Sequence, residues 1–290
     1  MNRRFHLLVN PTSGAGRAPE AARPVARLLR EAGAEVTVDH STGPVACAQM
    51  ARTSAARGDV VVAVGGDGML SSIAEALVVA QGVLGIVPSG RGNDFARMLG
   101  LSGAVEDCAR TLLEGTPREV DIIDAGRRVV LGSVYAGVDS LGSELVERTR
   151  RLPTAMQYPY AAVRALLSFT PTEFTVDIDG QISHEQAYTV VVANSGYYGS
   201  GMHIAPAAVL DDGLLDVVIV RAASKLRLIR SMPRVYDGTH VDMDSVVVHR
   251  GREVRLSSRR PVTAYGDGER LAPLPTTVSV RPRTLKVLTR

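Results

Sequence analysis

Three glycine-rich segments hold the residue types best suited to chemistry. They are Asn10-Pro11-Thr12-Ser13-Gly14-Ala15-Gly16, Gly65-Gly66-Asp67-Gly68 and Pro88-Ser89-Gly90-Arg91-Gly92-Asn93-Asp94. Each follows an apolar run that reads as a buried strand. Glycine lets a backbone approach phosphate oxygens, and the N–H groups that open a following helix carry positive partial charge. The chemistry implied is polyphosphate binding, with Asp67 holding a metal ion or positioning a nucleotide. Taken singly, each segment also reads as a tight turn, and Asn93 and Asp94 as helix N-caps. Three such turns at one sheet edge favour the ligand reading.

Other phosphate and hydrolase signatures are missing. There is no G-x-x-x-x-G-K-[ST], and neither Lys225 nor Lys286, the only lysines, follows a glycine. The absence of G-x-G-x-x-G disfavours a dinucleotide-dependent oxidoreductase. The absence of G-x-S-x-G disfavours a serine hydrolase of the nucleophile-elbow type.

The elements that must position these turns alternate. Phe5–Val9, Glu35–Asp39, Val60–Val64 and Val83–Val87 read as strands. Helical spacing appears at Val25, Leu28 and Leu29, through Ala46 and Met50, at Ile73, Ala76 and Leu77, and at Ala109, Leu112 and Leu113. Such alternation predicts a parallel sheet covered on both faces, with ligands beyond the carboxyl ends of its strands. After about Asp121 the strand-like runs shorten: Val129–Leu131, Phe174–Ile178, Tyr188–Ala193, Asp216–Val220, Val246–Val248 and Val262–Tyr265. Asp179-Gly180 marks a hairpin. One helical insertion, Tyr160–Phe169, interrupts an otherwise antiparallel β domain.

Composition bounds the class. The chain has 290 residues, 45% hydrophobic and 22% charged, with a net charge of +3. That length favours two domains, and that charge gives no general pull on nucleic acid, so no nucleic-acid partner is expected. Cys47 and Cys108 lie in helical patterns without partners at metal spacing, which fits a reducing cytoplasm. The apolar stretch at Phe5–Val9 is too short for a signal peptide, and no run reaches the roughly 20 residues of a spanning helix. Any membrane contact is expected to be peripheral.

The ordered set of motifs resembles the diacylglycerol kinase catalytic-domain family, which includes bacterial lipid kinases and sphingosine kinases. The residues that carry the resemblance are Asn10-Pro11 with Ser13-Gly14, Gly65-Gly66-Asp67-Gly68, and Gly90 with Gly92-Asn93-Asp94-Phe95-Ala96-Arg97. Further along are Ala205-Pro206-Ala207, Asp212-Gly213-Leu214-Leu215-Asp216 and Asp267-Gly268-Glu269. The set spreads over nearly the whole chain. A lone GGDG is shared with sugar-phosphate and NAD kinases; the ordered set is specific.

The resemblance implies an α/β nucleotide domain like that of NAD kinases and phosphofructokinases at 1–122, rejoined by 276–290, and a β-sandwich lipid-substrate domain at 123–275. It implies ATP and Mg²⁺ as cofactors and a lipid hydroxyl as acceptor, most simply that of diacylglycerol. ATP would lie along Gly65, Gly66, Asp67, Gly68, Met69, Leu70 and Ser71, near Asn10 and the loop of Gly90, Arg91 and Asn93. A hydroxyl after the second strand would be Ser41 or Thr42. Asp267 would be the general base, with Glu269 assisting. The Asp212 carboxylate and the carbonyls of Val209 and Leu214 would hold a structural Mg²⁺. Asp211-Asp212-Gly213 read without the family is a turn before a strand.

An apolar lid is expected at Tyr158–Phe169, bounded by Pro153, Pro159 and Pro171, although the same spacing describes a core helix. Arg148, Arg150 and Arg151 could meet anionic headgroups or form a solvated helix face. These features place the protein in the cytoplasm, peripheral to the inner membrane face, with a homodimer through a β-domain edge strand as a further expectation. His184 and His203 read as structural. Two positions depart from the family pattern: Met69 and Arg91 stand where threonines are usual, and each removes a hydroxyl. They motivate a second reading, a lipid- or nucleotide-binding protein without catalysis. A third reading is an NAD kinase-like enzyme.

Overall fold

The computed structural model describes residues 3–126, 128–148 and 154–290. The chain forms two compact units, one running up to Ile122 and including Pro282–Arg290, the other Ile123–Arg281.

The first unit alternates strands and helices. These are β1 (Arg4–Val9), α1 (Ala18–Glu31), β2 (Glu35–His40), α2 (Pro44–Ala56), β3 (Val60–Gly65), α3 (Asp67–Ala80), β4 (Val83–Pro88), α4 (Asp94–Met98) and α5 (Val105–Glu114), before β5 (Thr116–Asp124) leads into the second unit. β1 pairs in parallel with β2 and β3, and β3 with β4. Val61, Val62, Ala63 and Val64 are fully buried because β3 has a strand on each side and helices over both faces. Alternation along β1 divides the layers: Phe5, Leu7 and Val9 join α1 and α5 in one core, while α2 lies on the other face.

The second unit contains β6 (Val129–Val130), β7 (Ser133–Gly137), α6 (Val138–Arg148), α7 (Thr154–Ser168), β8 (Thr172–Ile178), β9 (Gln181–Ala193), β10 (Leu215–Arg221), α8 (Lys225–Asp237), β11 (Val246–Gly251), β12 (Glu253–Ser258), β13 (Thr263–Gly266), β14 (Glu269–Pro273) and the start of β15 (Thr276–Thr289). Its ladders are antiparallel. The first half of β9 pairs with β8, and the second half pairs with both β7 and β10. The hairpin turn falls at Asp179-Gly180, where both residues have positive φ, as a two-residue loop between twisted strands requires.

Period-two alternation fills two cores. Val190 and Val192 face a sandwich interior with Phe174, Val217, Ile219 and Val254. Val191 and Ala193 face the opposite way, into a layer that includes Leu166 of α7 and Leu228 of α8, and Tyr188 joins them because the β9–β10 register shifts at that point. Among the described residues three α-helices accompany this β domain, where the sequence predicts one. Pro159 lies inside α7 rather than bounding it. Within β15, Thr276–Ser279 pairs with β12 and Lys286–Val287 with β4. Residues 276–281 thus belong to the second unit, not to the first as expected.

Candidate active site

Parallel pairing puts the carboxyl ends of β1 to β4 on one edge of the first unit, and the three glycine turns all lie there. Backbone bonds tie each turn to a neighbour: Asn10 N–H donates to Val64 O (3.1 Å), Ser41 N–H to Val9 O (2.8 Å) and Ser89 N–H to Gly65 O (2.9 Å). The second and third turns touch. A Cβ built on Gly90 would lie 2.4 Å from Gly66 Cα, so no side chain fits between them. Asn93, in the left-handed conformation, accepts the Gly90 N–H at its Oδ1 (2.7 Å).

Several expected nucleotide residues prove to build this edge. Asn10 Oδ1 accepts from Thr12 N–H and Oγ1–H at 3.1 and 2.9 Å, closing the first turn. Asp67 opens α3, and its Oδ1 accepts the Phe95 N–H at 3.2 Å, so one carboxylate stands at the start of both α3 and α4. Asp94 Oδ2 and Asp67 Oδ2 both border Gly92, at 3.0 and 3.1 Å from the position of a Cβ there. Met69 is 8% exposed, with its sulfur packed under Gly65, and Leu70 is buried. Their side chains point into the fold, and their N–H groups donate to Gly66 O at 3.0 and 3.2 Å. Ser71 Oγ donates to Asp67 O (3.2 Å). Arg91 is exposed. Of the two hydroxyls after β2, Ser41 is buried and donates to Gly43 O (2.9 Å), whereas Thr42 is exposed.

In the second unit three backbone N–H groups hold Asp267. Its Oδ2 accepts the Leu131 N–H (2.8 Å), and its Oδ1 accepts the N–H groups of Gly132 (2.9 Å) and Ser133 (3.1 Å). Three amide dipoles aimed at one carboxylate stabilise negative charge there and fix its rotamer. Gly132 makes the approach possible, since a Cβ would lie 2.6 Å from Asp267 Oδ1. Sequence reasoning missed this clamp. Glu269 is committed elsewhere, paired with Arg128 at 2.5 Å.

A tyrosine cluster adjoins this turn. Tyr135 stacks on Tyr265 (6.2 Å) and meets Tyr198 edge-on (5.6 Å). The Tyr135 and Ser143 hydroxyls share a hydrogen bond of 2.8 Å, and the Tyr265 hydroxyl donates to Glu144 Oε1 (3.1 Å). Asp139, at the start of α6, accepts from Thr189 Oγ1 (2.8 Å) and from Tyr198. Burial pushes the Asp139 carboxyl and the Tyr135 and Tyr198 phenols up.

The expected structural metal ligands fit a cation only in part. Asp212 Oδ1 accepts the Leu214 N–H (3.0 Å), and its other oxygen is bonded by Arg250. An ion held by Asp212 with the Val209 and Leu214 carbonyls would compete with that guanidinium. Among the described residues no group of three or more His, Cys, Asp or Glu gathers as a metal site. His203 stacks on Tyr197 at 4.3 Å, and burial lowers its pKa. Arg150, Arg151 and Pro153 lie outside the described residues, as does the side chain of Arg148.

A Ser–His–Asp line also occurs in the first unit. His6 Nδ1 is 2.5 Å from Ser54 Oγ, and its Nε2 is 2.9 Å from Asp39 Oδ2. Ser54 is fully buried and donates its proton to Met50 O (2.8 Å), so it offers no nucleophile.

Residues 4–125 match the diacylglycerol kinase catalytic domain, and residues 132–289 match the YegS C-terminal NAD kinase beta sandwich-like domain. A diacylglycerol kinase of Mycobacterium tuberculosis (strain ATCC 25618 / H37Rv) is 32% identical over 289 residues, covering 97% of this chain and 93% of that protein. This chain belongs to the diacylglycerol kinase family. A family member from Bacillus subtilis (strain 168) is 26% identical, over 92% of this chain and 90% of that one. The fold is shared with the crystal structure of a diacylglycerol kinase from Bacillus anthracis str. Sterne. The TM-score is 0.79 at 18% identity, over 99% of this chain and 97% of that one.

Proposed function

We propose that this family member is an ATP-dependent lipid kinase that transfers the γ-phosphate to a lipid hydroxyl, with diacylglycerol as acceptor and phosphatidic acid as product. The observation that carries the reading is the contact of Gly66 with Gly90 at the carboxyl edge of the parallel sheet. It leaves bare backbone beside two helix starts, the arrangement a polyphosphate needs. The names of the curated relatives supply the acceptor class.

The donor is MgATP. Gly65 to Ser71, with Gly90 to Asn93, would cradle the triphosphate, and Asp67 would face its Mg²⁺. Phosphoryl transfer depends on positioning and charge neutralisation rather than covalent help from the protein. The lipid hydroxyl oxygen bonds to the γ-phosphorus as the bond to the bridging oxygen breaks, and ADP leaves. The hydroxyl proton passes to Asp267, which its three amide donors hold in one orientation. Met69 is compatible with the reading, because its side chain is packed away from the turn surface. Asp212 with the carbonyls of Val209 and Leu214 is the proposed structural Mg²⁺ site, reached when Arg250 releases the carboxylate. Glu269, paired with Arg128, keeps the shape of the turn.

No described helix is long and apolar enough to cross a membrane, and we place the enzyme at the inner membrane face as a peripheral protein. A panel of diacylglycerol, a monoacylglycerol, a sphingoid base and NAD, each offered with γ-labelled ATP, tests the reading. Label on diacylglycerol is expected. Label on NAD and on no lipid would make the chain an NAD kinase instead.

A further inference from the structure

Asp267 stands in a two-residue turn between β13 and β14, in the left-handed region at φ 48°, with Gly268 beside it at φ 84°. Its carboxylate reaches back to the segment between β6 and β7, where Leu131 and Gly132 belong to neither strand. Glycine is needed there for the close approach, yet it is also the residue that leaves a backbone softest. The peptide planes that aim two N–H groups at Asp267 Oδ1 must therefore be held from elsewhere.

A peptide N–H and the carbonyl of the preceding residue lie in one plane, so gripping the carbonyl fixes the direction of the N–H. The Gly132 N–H shares its plane with the Leu131 carbonyl, which accepts from Asn194 Nδ2 at 3.1 Å. The Ser133 N–H shares its plane with the Gly132 carbonyl, which accepts the N–H groups of Asn194 (2.9 Å) and Ser195 (3.0 Å). Asn194 thus grips both planes from behind, one with its side chain and one with its backbone. It directly follows β9, where Ala193 is paired with Ser133, so the sheet fixes its place. Asn194, Ser195 and Leu131 are buried, so water does not replace these bonds. Hydrogen bonds in series also polarise one another, and a bond on the carbonyl strengthens the N–H that faces the carboxylate.

We propose that Asn194 is a positioning residue for phosphoryl transfer. Through the Leu131–Gly132 and Gly132–Ser133 peptides it holds the Asp267 carboxylate in the orientation that receives the hydroxyl proton. This role rests on the reading of Asp267 as the base.

Two substitutions remove the side-chain donor in different ways. Asn194→Leu keeps the volume, and Asn194→Ser keeps a small polar group too short to reach the Leu131 carbonyl. Both leave the backbone bonds to the Gly132 carbonyl in place, and Asn194→Ser carries the test should Asn194→Leu not fold. Each should lower single-turnover transfer from γ-labelled ATP to diacylglycerol about tenfold to a hundredfold, with ATP affinity unchanged. In an Asp267→Asn background the same changes should lower the residual transfer by less than about twofold, because residues that act through one group are not additive. Amide hydrogen exchange reads the hold without turnover. The Gly132 and Ser133 N–H groups should exchange about tenfold faster in each variant, while those of β9 and β10 keep wild-type protection. Wild-type transfer by both variants overturns the proposal. So does an equal loss in the two backgrounds, or a loss of protection spread evenly over β9 and β10, since Asn194 would then be merely structural. Full transfer by Asp267→Asn overturns the base reading and this role with it. A silent Asp267→Asn beside fully active Asn194 variants overturns the role alone.

Discussion

Gly132→Ala is the sharpest perturbation of the proposed base. The new Cβ would sit 2.6 Å from Asp267 Oδ1, whereas ordinary contact begins at 3.4 Å, so the carboxylate or the strand must move about 0.8 Å. Asp267 cannot yield freely, because three N–H groups hold it at 2.8 to 3.1 Å. A shift of that size lengthens at least two of those bonds past hydrogen-bonding range. The stability lost should be about 1–3 kcal/mol, the usual range for a weakened bond to a charged group. The effect on rate should be larger, since about 1 Å of misplacement at a reacting group costs about a hundredfold. Steady-state kinetics with γ-labelled ATP and diacylglycerol, with a urea unfolding curve beside them, read both effects. We expect kcat to fall with KM for ATP unchanged, because ATP is assigned to the first unit. A variant with wild-type kcat would refute the reasoning that this clamp holds a catalytic carboxylate.

Three further outcomes follow from other contacts. Gly90→Ala places a methyl group 2.4 Å from Gly66 Cα. The resulting strain of about 1–3 kcal/mol should weaken ATP binding about tenfold to a hundredfold, as read by calorimetry. Arg250→Gln should tighten Mg²⁺ binding at Asp212, and Asp212→Asn should abolish it, as read by the rise of the thermal midpoint with added Mg²⁺. The Arg221 guanidinium, bonded to both oxygens of Glu185 at 2.8 and 3.0 Å, holds that carboxyl below its ordinary value. Its stabilisation is full above the unfolded value of 4.5 and is lost as pH falls through the depressed folded value. Glu185→Gln should therefore cost about 1 kcal/mol at neutral pH and progressively less as pH falls below 4.5, measured by urea unfolding across that range.

The legible parts of this fold are those whose signal is local. β3 announces itself by an apolar run, and the glycine turns by residue type. β12, with the sequence Glu-Val-Arg-Leu-Ser-Ser, buries only Val254 and Leu256 and gives too short an alternation to stand out. β5 opens with Thr-Pro-Arg-Glu and reads as a loop until its buried half. α6 contains Gly142 and α8 contains Pro233, residues that break helices when read from propensity alone. Tertiary packing overrides both. The site divides in the same way. Asp67 and Asp267 were visible as side chains with chemistry. The clamp on Asp267 was not, because Leu131, Gly132 and Ser133 contribute only backbone N–H groups, which no side-chain pattern reports. Nor does sequence show that Met69 turns inward, that Arg250 occupies the carboxylate assigned to metal, or that Arg128 occupies the one expected to assist Asp267.

The central claim is that Asp267 takes the proton of the attacking lipid hydroxyl. It is tested most directly by single-turnover transfer from γ-labelled ATP to diacylglycerol with wild type and Asp267→Asn, alongside ATP binding by both. Asparagine keeps the shape but turns an amide NH₂ toward donors that now face a carboxylate, so unaltered ATP affinity serves as the check that the nucleotide site is intact. The account predicts labelled phosphatidic acid from wild type and almost none from the variant at equal ATP affinity. Equal transfer by both proteins would contradict it.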